Sequence, residues 1–512
     1  MGERNLGLPV CWVANPRHPG RVGAGFITGL FALMMTLVLA GCRHQTPDGT
    51  LVLTQIPLET KSTEKTPDIL DALYPPGSRV VCVAPPYRPG EVRVLSSGLI
   101  AAGSPLVSTD GKRVYFAGKA RLGGAWQIYE TPGGGGRPRA VTALEGGAMD
   151  PAILGKGDLI FSSPVPKLGE TWRTPKPSAL YRQSPGGTPQ RLTYGVTGAV
   201  EPTVLRDGTI LFVSALVTAS TNEPTQLGLF TINDDGTEVT AFALDHDGAP
   251  WVRRPRELFD GRVGFLAMAA ESGAGGIWAE GVRAARPFAS RSRLFSFSSG
   301  SCRSVEPDSQ GALLVCLETR GLSGRSMSGS YAVYRVGSEM KELGAPLFHD
   351  PAWHNLEAVP LAARPKPMGH VTAIKPALKF GTILCLNANF TRPSLANASN
   401  GLAVAKVGRV RVLARNGSNS EQVLGEVALQ ADGSFMATVP AETPIGFEAL
   451  DDQDRVVRRV PPSVWLRRGE NRSCLGCHEP YNRSPRNVRP IAAGLPPVNL
   501  AEKNPTLTPS TP

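Results

Sequence analysis

Through the middle of the chain, short apolar runs alternate with turns marked by glycine and proline, and the alternation itself repeats. A proline is followed five and six residues later by Asp-Gly and near the tenth by an aromatic side chain: Pro105 with Asp110-Gly111 and Tyr115-Phe116, Pro202 with Asp207-Gly208 and Phe212, Pro255 with Asp260-Gly261 and Phe265. Pro151 with Gly157 and Phe161 is a weaker copy, Pro307 with Gly311 a shortened one, and Asp350-Pro351-Ala352-Trp353 opens a sixth. The starts recur at roughly 50 residues, the length of one blade of a β-propeller. Asp-Gly makes the tight turn between the first two strands of a blade because glycine tolerates positive φ. The run after it, Arg113-Val114-Tyr115-Phe116 or Thr209-Ile210-Leu211-Phe212, reads as the buried second strand. Trp126-Gln127-Ile128-Tyr129 and Ala332-Val333-Tyr334-Arg335 read as third strands, and Pro132-Gly133-Gly134-Gly135-Gly136 as a hairpin. Six starts predict six blades, with the early strand Arg79-Val80-Val81-Cys82-Val83 completing the last blade and closing the ring. An irregular β-sandwich with incidental Asp-Gly turns is the alternative.

Beyond Pro360 the pattern changes. Arg364-Pro365-Lys366-Pro367 reads as a stiff linker. Gly381 to Leu386, Arg409 to Leu413, Val423 to Leu429 and Ser434 to Val439 read as strands around Ala431-Asp432-Gly433. With Gly446 to Asp451 and Arg455-Val456-Val457 they close a small sandwich. At the other end, Arg4, Arg17 and Arg21 precede an apolar run from Phe26 to Leu39, the pattern of a signal-peptide core. It ends in Leu39-Ala40-Gly41-Cys42, which resembles a bacterial lipobox and makes Cys42 the expected lipidated N-terminus. An uncleaved anchor of marginal length, or ordinary cleavage nearby, are the alternatives. Arg43, where an aspartate would favour inner-membrane retention, points to outer-membrane sorting. No other stretch is long and apolar enough to span a bilayer. The fold class expected is mainly β: a six-bladed propeller, a small β-sandwich and a C-terminal haem-attachment segment. By residue the expected layout is signal peptide 1–41, linker 42–67, propeller 68–360, sandwich 361–470, attachment segment 471–490 and disordered tail 491–512.

Composition agrees with short strands and many turns, since 57 Gly and 46 Pro in 512 residues are too many for a helical protein. The net charge of +11 describes a solvated basic surface, and no basic stripe interleaved with aromatics suggests nucleic acid.

The candidate chemistry is concentrated at Cys474-Leu475-Gly476-Cys477-His478. C-x-x-C-H is the attachment motif of covalent haem c: two thiols on one short turn add to the vinyl groups at one porphyrin edge, and the adjacent imidazole becomes the proximal iron ligand. A zinc half-site would want a second C-x-x-C or histidine pair, and a thioredoxin-like pair would want a βαβ context. For the sixth position on iron, His349, His354, His370 and Met368 are the nearer candidates and His246 a distant one. Of the other cysteines, Cys302 and Cys316 flank the turn Pro307-Asp308-Ser309-Gln310-Gly311 almost symmetrically. They could form a disulfide in an oxidising compartment, or stand as two buried thiols on neighbouring strands.

The repeats resemble those of TolB-like propellers. Leu424-Gly425-Glu426-Val427, Ala431-Asp432-Gly433-Ser434-Phe435, Val439-Pro440-Ala441-Glu442-Thr443-Pro444, Trp465 and Gly469-Glu470, leading into Cys474-Leu475-Gly476-Cys477-His478-Glu479-Pro480, resemble proteins related to the hydrazine synthase alpha subunit. The resemblance implies the same order of propeller, sandwich and haem site. It also implies a single haem at Cys474, Cys477 and His478. That subunit's catalytic chemistry is placed with a second haem in an N-terminal domain, whereas here about 60 residues separate Cys42 from the first blade. No second C-x-x-C-H occurs in the sequence, so hydrazine synthesis is not carried over.

Three functions are consistent with these features. The first is an exported, lipid-anchored monohaem cytochrome, facing the periplasm from the outer membrane, whose propeller docks a redox partner in the cell envelope. The second is a haem-dependent enzyme subunit acting on a small molecule. The third is a propeller module that binds an envelope protein or polymer. No Ser/His/Asp or metal constellation stands out elsewhere in the chain.

Overall fold

The computed structural model describes residues 46–58, 73–164, 178–195, 197–217, 224–243, 251–268, 277–287, 289–295, 301–318, 329–337, 343–391, 406–415, 420–477 and 485–502. The signal segment, Cys42, His246 and His478 lie outside these residues.

Among the described residues, six antiparallel sheets form the blades, each built from the inside outward. The first runs Ala101–Val107, Arg113–Lys119, Gln127–Pro132, Arg139–Ala140, and the next three repeat this order. In the fifth, Cys302–Pro307, Leu313–Glu318 and Tyr331–Val336 form three strands, and a single bridge from Phe348 to Val333 stands where a fourth would pair. In the sixth, Trp353–Pro360 is innermost, followed by Leu51–Pro57, Arg79–Val83 and Arg93–Val94. The ring is thus closed by pairing the last inner strand with the first strand of the chain, Leu51 opposite Pro360 and Pro57 opposite Trp353. Arg79–Val83 belongs to the last blade, as expected, but the expectation that it closes the ring is corrected: Leu51–Pro57 makes the closing pair, and Arg79–Val83 lies outside it. The linker expected over 42–67 is corrected: Leu51–Pro57 is a strand with six buried residues in succession. Sandwiched between two strands, it lacks the polar alternation that marks a half-exposed strand.

The turns predicted at Asp-Gly are present, with Gly111, Gly208 and Gly261 at φ of 72°, 91° and 78°. Gly157 and Gly311 take the same conformation at 94° and 86°. Aligned on these glycines, Val305 of the fifth blade holds the proline position, two residues before the Pro307 expected from sequence.

The segment after Pro360 is no free linker. It lies along the turns of the first three blades: Arg364 N donates to Thr109 O at 2.9 Å and Met368 N to Arg206 O at 2.9 Å. A Cβ on Gly208 would come within 2.5 Å of Met368 O, so the close approach requires glycine there.

The sandwich pairs the sheet Asn471–Cys474, Phe380–Cys385, Phe435–Pro440, Val498–Asn499 with the sheet Glu421–Ala428, Arg409–Arg415, Ile445–Leu450, Val456–Val464. Its core holds Ile383, Val410, Val412, Val427, Phe435, Val439, Ile445 and Leu466. The tail expected to be disordered from 491 is corrected through residue 502. Ile491–Gly494 forms a short 3-10 turn, Val498–Asn499 pairs in parallel with Ala437 and Thr438, and Leu500 is buried in the core. The prolines that signalled disorder prevent a long strand here, yet Leu500 still gains the burial of a core leucine.

Candidate haem-attachment site and the propeller channel

Strand Asn471–Cys474 carries the first cysteine. It pairs in parallel with Phe380–Cys385, placing Cys474 opposite Cys385, and Leu386 N donates to Cys474 O at 2.9 Å. The chain then turns so that Cys477 N donates to Phe390 O at 3.1 Å. A Cβ on Gly476 would lie 2.2 Å from Phe390 O, so only glycine lets this turn rest on Phe390. The Phe390 loop is itself braced: Phe390 N donates to Asn387 O at 2.9 Å, and Asn389 Oδ1 accepts from Val407 N at 2.8 Å. Cys82, Cys302, Cys316 and Cys385 are buried, while Cys474 and Cys477 are both part-exposed. Two thiols at this spacing on one rigid turn and open to solvent fit the donor set of covalent haem. Among the described residues no group of three or more His, Cys, Asp or Glu could hold a metal ion, so no second half of a zinc site is found there.

Glu470 fixes this strand to the propeller. It is 2% exposed, and its Oε1 accepts from Glu238 N at 2.9 Å and from Arg472 at 2.6 Å, while Oε2 accepts from Arg467 N at 2.7 Å. Arg467 donates to Arg191 O at 2.8 Å and to the Tyr194 hydroxyl at 2.9 Å. Trp465 packs into the core between the second and third blades.

The four described candidates for a distal ligand are not brought to the cysteine pair. His349 bonds Ser330 Oγ at 2.7 Å, and His354 packs edge-on to Tyr331 with ring centroids 5.5 Å apart, both on the fifth and sixth blades. Burial lowers the pKa of both imidazoles. His370 lies 3.9 Å from Asp234, and Met368 is exposed on the segment crossing the blade turns. These last two sit at the junction side of the sandwich, whereas Cys474 ends a strand that leads about 13 Å away from Glu470. Cys302 and Cys316 are buried, unbridged thiols in adjacent strands, Cys302 opposite Leu317 and Cys316 opposite Ser304. Burial raises both, Cys316 to about 11.

Sequence reasoning missed a charged belt inside the propeller. In five of the blades the inner strand bulges at one equivalent residue, Ser104, Asp150, Glu201, Arg254 or Glu357; in the blade of Cys302–Pro307 the register shifts earlier, between Cys302 and Ser304, and Ser304 stays paired with Cys316. These five bulge residues have φ between 51° and 57°, a conformation that costs on the order of 1 kcal/mol per residue. The bulge frees a backbone N–H, and the neighbouring blade's side chain accepts it. Ser104 N donates to Glu357 at 2.8 Å, Glu201 N to Asp150 at 3.2 Å, Arg254 N to Glu201 at 2.6 Å and Glu357 N to Ser304 Oγ at 3.0 Å. Glu357 also accepts from Thr54 at 2.6 Å and from Tyr74 at 2.5 Å, and pairs with Arg254. Tyr74 enters over Gly103, where a Cβ would meet its ring at 2.3 Å. The signal was present in the repeat, because a polar or charged residue precedes the marker proline in Ser104-Pro105, Asp150-Pro151, Glu201-Pro202 and Arg254-Pro255.

Within the belt, burial and then the Glu201 charge push Asp150 up to about 6. Burial would also raise Glu201, but Arg253 and Arg254 outweigh it and hold the carboxyl at about 2. A carboxyl raised from about 3.9 when unfolded binds extra protons in the folded state, so its contribution to stability falls as pH rises from about 4 to about 6. Asp150→Asn keeps an acceptor for Glu201 N–H and removes the charge. The variant is expected to be more stable than the parent at pH 7 to 8, by up to about 3 kcal/mol, and to lose the advantage below about pH 4. Urea unfolding across that range measures it, and a stability gap independent of pH would contradict the assignment.

A family model described as the hydrazine synthase alpha subunit middle domain matches residues 388–479, which include the Phe390 loop and both cysteines. Hydrazine synthase subunit alpha of Kuenenia stuttgartiensis is 22% identical over 79% of this chain and 63% of its own length. The chain therefore spans less than two thirds of that curated relative. The solved structure of Kuenenia stuttgartiensis hydrazine synthase superposes with a TM-score of 0.74 and 19% identity, covering 88% of this chain and 72% of that one. TolB from Acinetobacter baumannii, 12% identical, covers 58% of this chain and 68% of its own with a TM-score of 0.36, too low to carry an argument. Fold and site define a propeller–sandwich protein that presents a cysteine pair on the sandwich. It is a relative of the hydrazine synthase alpha subunit.

Proposed function

We propose that the protein is a haem-dependent redox subunit, with one haem c joined to Cys474 and Cys477 and His478 as the proximal iron ligand. The observation that carries this reading is the cysteine turn: two part-exposed thiols at C-x-x-C spacing, held against Phe390 and tied through Glu470 to the propeller. Bound haem would supply one-electron chemistry. The chain's own residues bind and orient: strand pairing at Cys474 sets the attachment edge, and Gly476 lets the turn lie flat on Phe390.

The finer reading is an exported electron-transfer protein, lipidated at Cys42 and anchored to the outer membrane, with the propeller docking a redox partner. The apolar run from Phe26 to Leu39 and the Leu39-Ala40-Gly41-Cys42 motif support export and anchoring. Redox chemistry on a small molecule is the second reading, favoured by the relationship to hydrazine synthase subunit alpha. Protein matured with the c-type assembly machinery separates the two. A pyridine haemochrome of one haem per chain with a low-spin oxidised spectrum supports electron transfer. A high-spin spectrum with rapid cyanide binding supports the small-molecule reading. Absence of covalent haem in cells that mature other c-type cytochromes overturns both.

A further inference from the structure

The turns of the fourth blade gather arginines without matching acids. Arg262 opens the second strand of that blade, Arg262–Met268, and Arg283 ends the third, Ile277–Arg283; the two lie directly opposite each other in the ladder. Like charges in that position repel. Arg286 follows in the turn leading to the fourth strand, where Arg286 N donates to Arg283 O at 3.0 Å and Ser290 Oγ accepts from Arg283 N at 2.7 Å. One carboxylate stands among the three arginines: Asp260, whose Oδ2 accepts from Arg262 Nε at 2.6 Å. Arg291 pairs with Glu280, and Arg293 stacks on Trp278 with 5.0 Å to the ring centroid. Among the described residues Arg283 and Arg286 are left without an ion pair.

Other blades balance the same place. In the second, Arg182 of the third strand donates to Asp158 of the turn at 2.7 Å, and in the fifth Arg335 donates to Asp308 at 2.6 Å. Aligned on Gly157, Gly261 and Gly311, both arginines correspond to Gly281 of the fourth blade, where a Cβ would come within 2.5 Å of the Leu294 side chain. The arginines of this blade stand at the turns instead. With Asp260, Ser290 and Ser292 they line a cavity of about 860 Å³, a size suited to a small ligand. The cavity is open, because the segment after Pro360 seats on Gly111, Gly155 and Gly208, whereas a Cβ on Gly261 would meet nothing within 4 Å.

We infer that this cavity binds a phosphate monoester, with the phosphate group seated between Arg262, Arg283 and Arg286. Three guanidinium charges against one carboxylate leave an excess of two positive charges. A phosphate monoester carries close to two negative charges at neutral pH, whereas a carboxylate ligand supplies one. Guanidinium groups are planar forks whose paired N–H donors match phosphate oxygens. Ser292 adds a hydroxyl to the wall, and the organic part of the ligand fits in the space the phosphate leaves. The cavity involves neither Cys474 nor Cys477, and it takes its ligand with or without haem.

Calorimetric titration of the full chain with inorganic phosphate near neutral pH is expected to show saturable binding. Arg283→Ala with Arg286→Ala should weaken it about tenfold or more, and Arg283→Lys with Arg286→Lys should weaken it less. Arg121→Ala with Arg137→Ala, an equal change of charge on exposed residues of the first blade, should leave it as in the parent. Without phosphate, the Arg283 and Arg286 alanine pair should not lower Tm; a fall would mean that the guanidinium groups already have acceptors in the chain, and would overturn the site. If inorganic phosphate does not bind, but the parent sediments more with phosphatidylcholine vesicles containing phosphatidate than without it, and that alanine pair abolishes the difference, the phosphate belongs to a lipid headgroup. If neither probe binds, or both alanine pairs lose affinity equally, the arginines are a solvated basic surface and the phosphate site is overturned.

Discussion

Replacing Cys474 and Cys477 together by alanine is expected to take covalent haem from one per chain to none while leaving the propeller folded. Cys474 is only partly buried against the sandwich core, and its strand is held by backbone pairing to Phe380–Cys385 and by Glu470 rather than by its sulfur. Losing that contact costs on the order of 1 kcal/mol. The belt from Ser104 to Glu357 does not involve either thiol. Haem-stained gels of cell-envelope membrane fractions should show the band of the parent and none for the double variant, with an unchanged β-sheet circular dichroism spectrum of the purified chain. Either single variant should retain at most one thioether and lose haem on denaturing extraction far more readily than the parent. Full covalent haem in the double variant would place the attachment elsewhere and remove the basis of the functional reading.

Glu357→Ala is expected to destabilise the chain by about 3–5 kcal/mol, the largest effect of any single substitution in the propeller. The carboxylate is 4% exposed and is the common acceptor for Thr54, Tyr74, the Ser104 N–H and Arg254. Burial would raise its pKa, but Arg254 and these hydrogen bonds outweigh that and hold it ionised below its ordinary value. Without it, the Arg254 charge loses its closest partner deep in the channel, and three donors on three segments lose their acceptor together. Thr54 lies on the strand that closes the ring, so the same change loosens the closure between Leu51–Pro57 and Trp353–Pro360. Glu357→Gln keeps an acceptor and should cost less. The loss should hold at high salt, since a buried pair is poorly screened. Urea unfolding followed by tryptophan fluorescence measures it, and a cost below about 1 kcal/mol would show that the belt is not a stabilising element.

The parts of the fold legible in the sequence are those encoded locally. Asp110-Gly111, Asp207-Gly208 and Asp260-Gly261 announce their turns because the turn chemistry depends on adjacent residues alone. The C-x-x-C spacing marks the turn between Cys474 and Cys477 for the same reason. Elements that depend on a distant partner were hidden. Leu51–Pro57 is a strand because Trp353–Pro360 waits some three hundred positions away, and Val498–Asn499 pairs because Leu500 finds the space over Gly425. The bulge residues preceding the prolines were visible as a column but not as a belt, since their meaning lies in the N–H of the next blade. The rest of Gly476 on Phe390 likewise emerges only when both segments are in place.

Haem on the cysteine turn can be read directly from a single peptide. Trypsin would release it as one peptide running from Ser473 to Arg483, cut after Arg472. Mass spectrometry of that peptide from protein matured in a periplasm should find a single haem added through both cysteines, with no free thiol to alkylate. The same peptide recovered with Cys474 and Cys477 both alkylated, from cells whose other c-type cytochromes carry haem, would mean that the turn carries none.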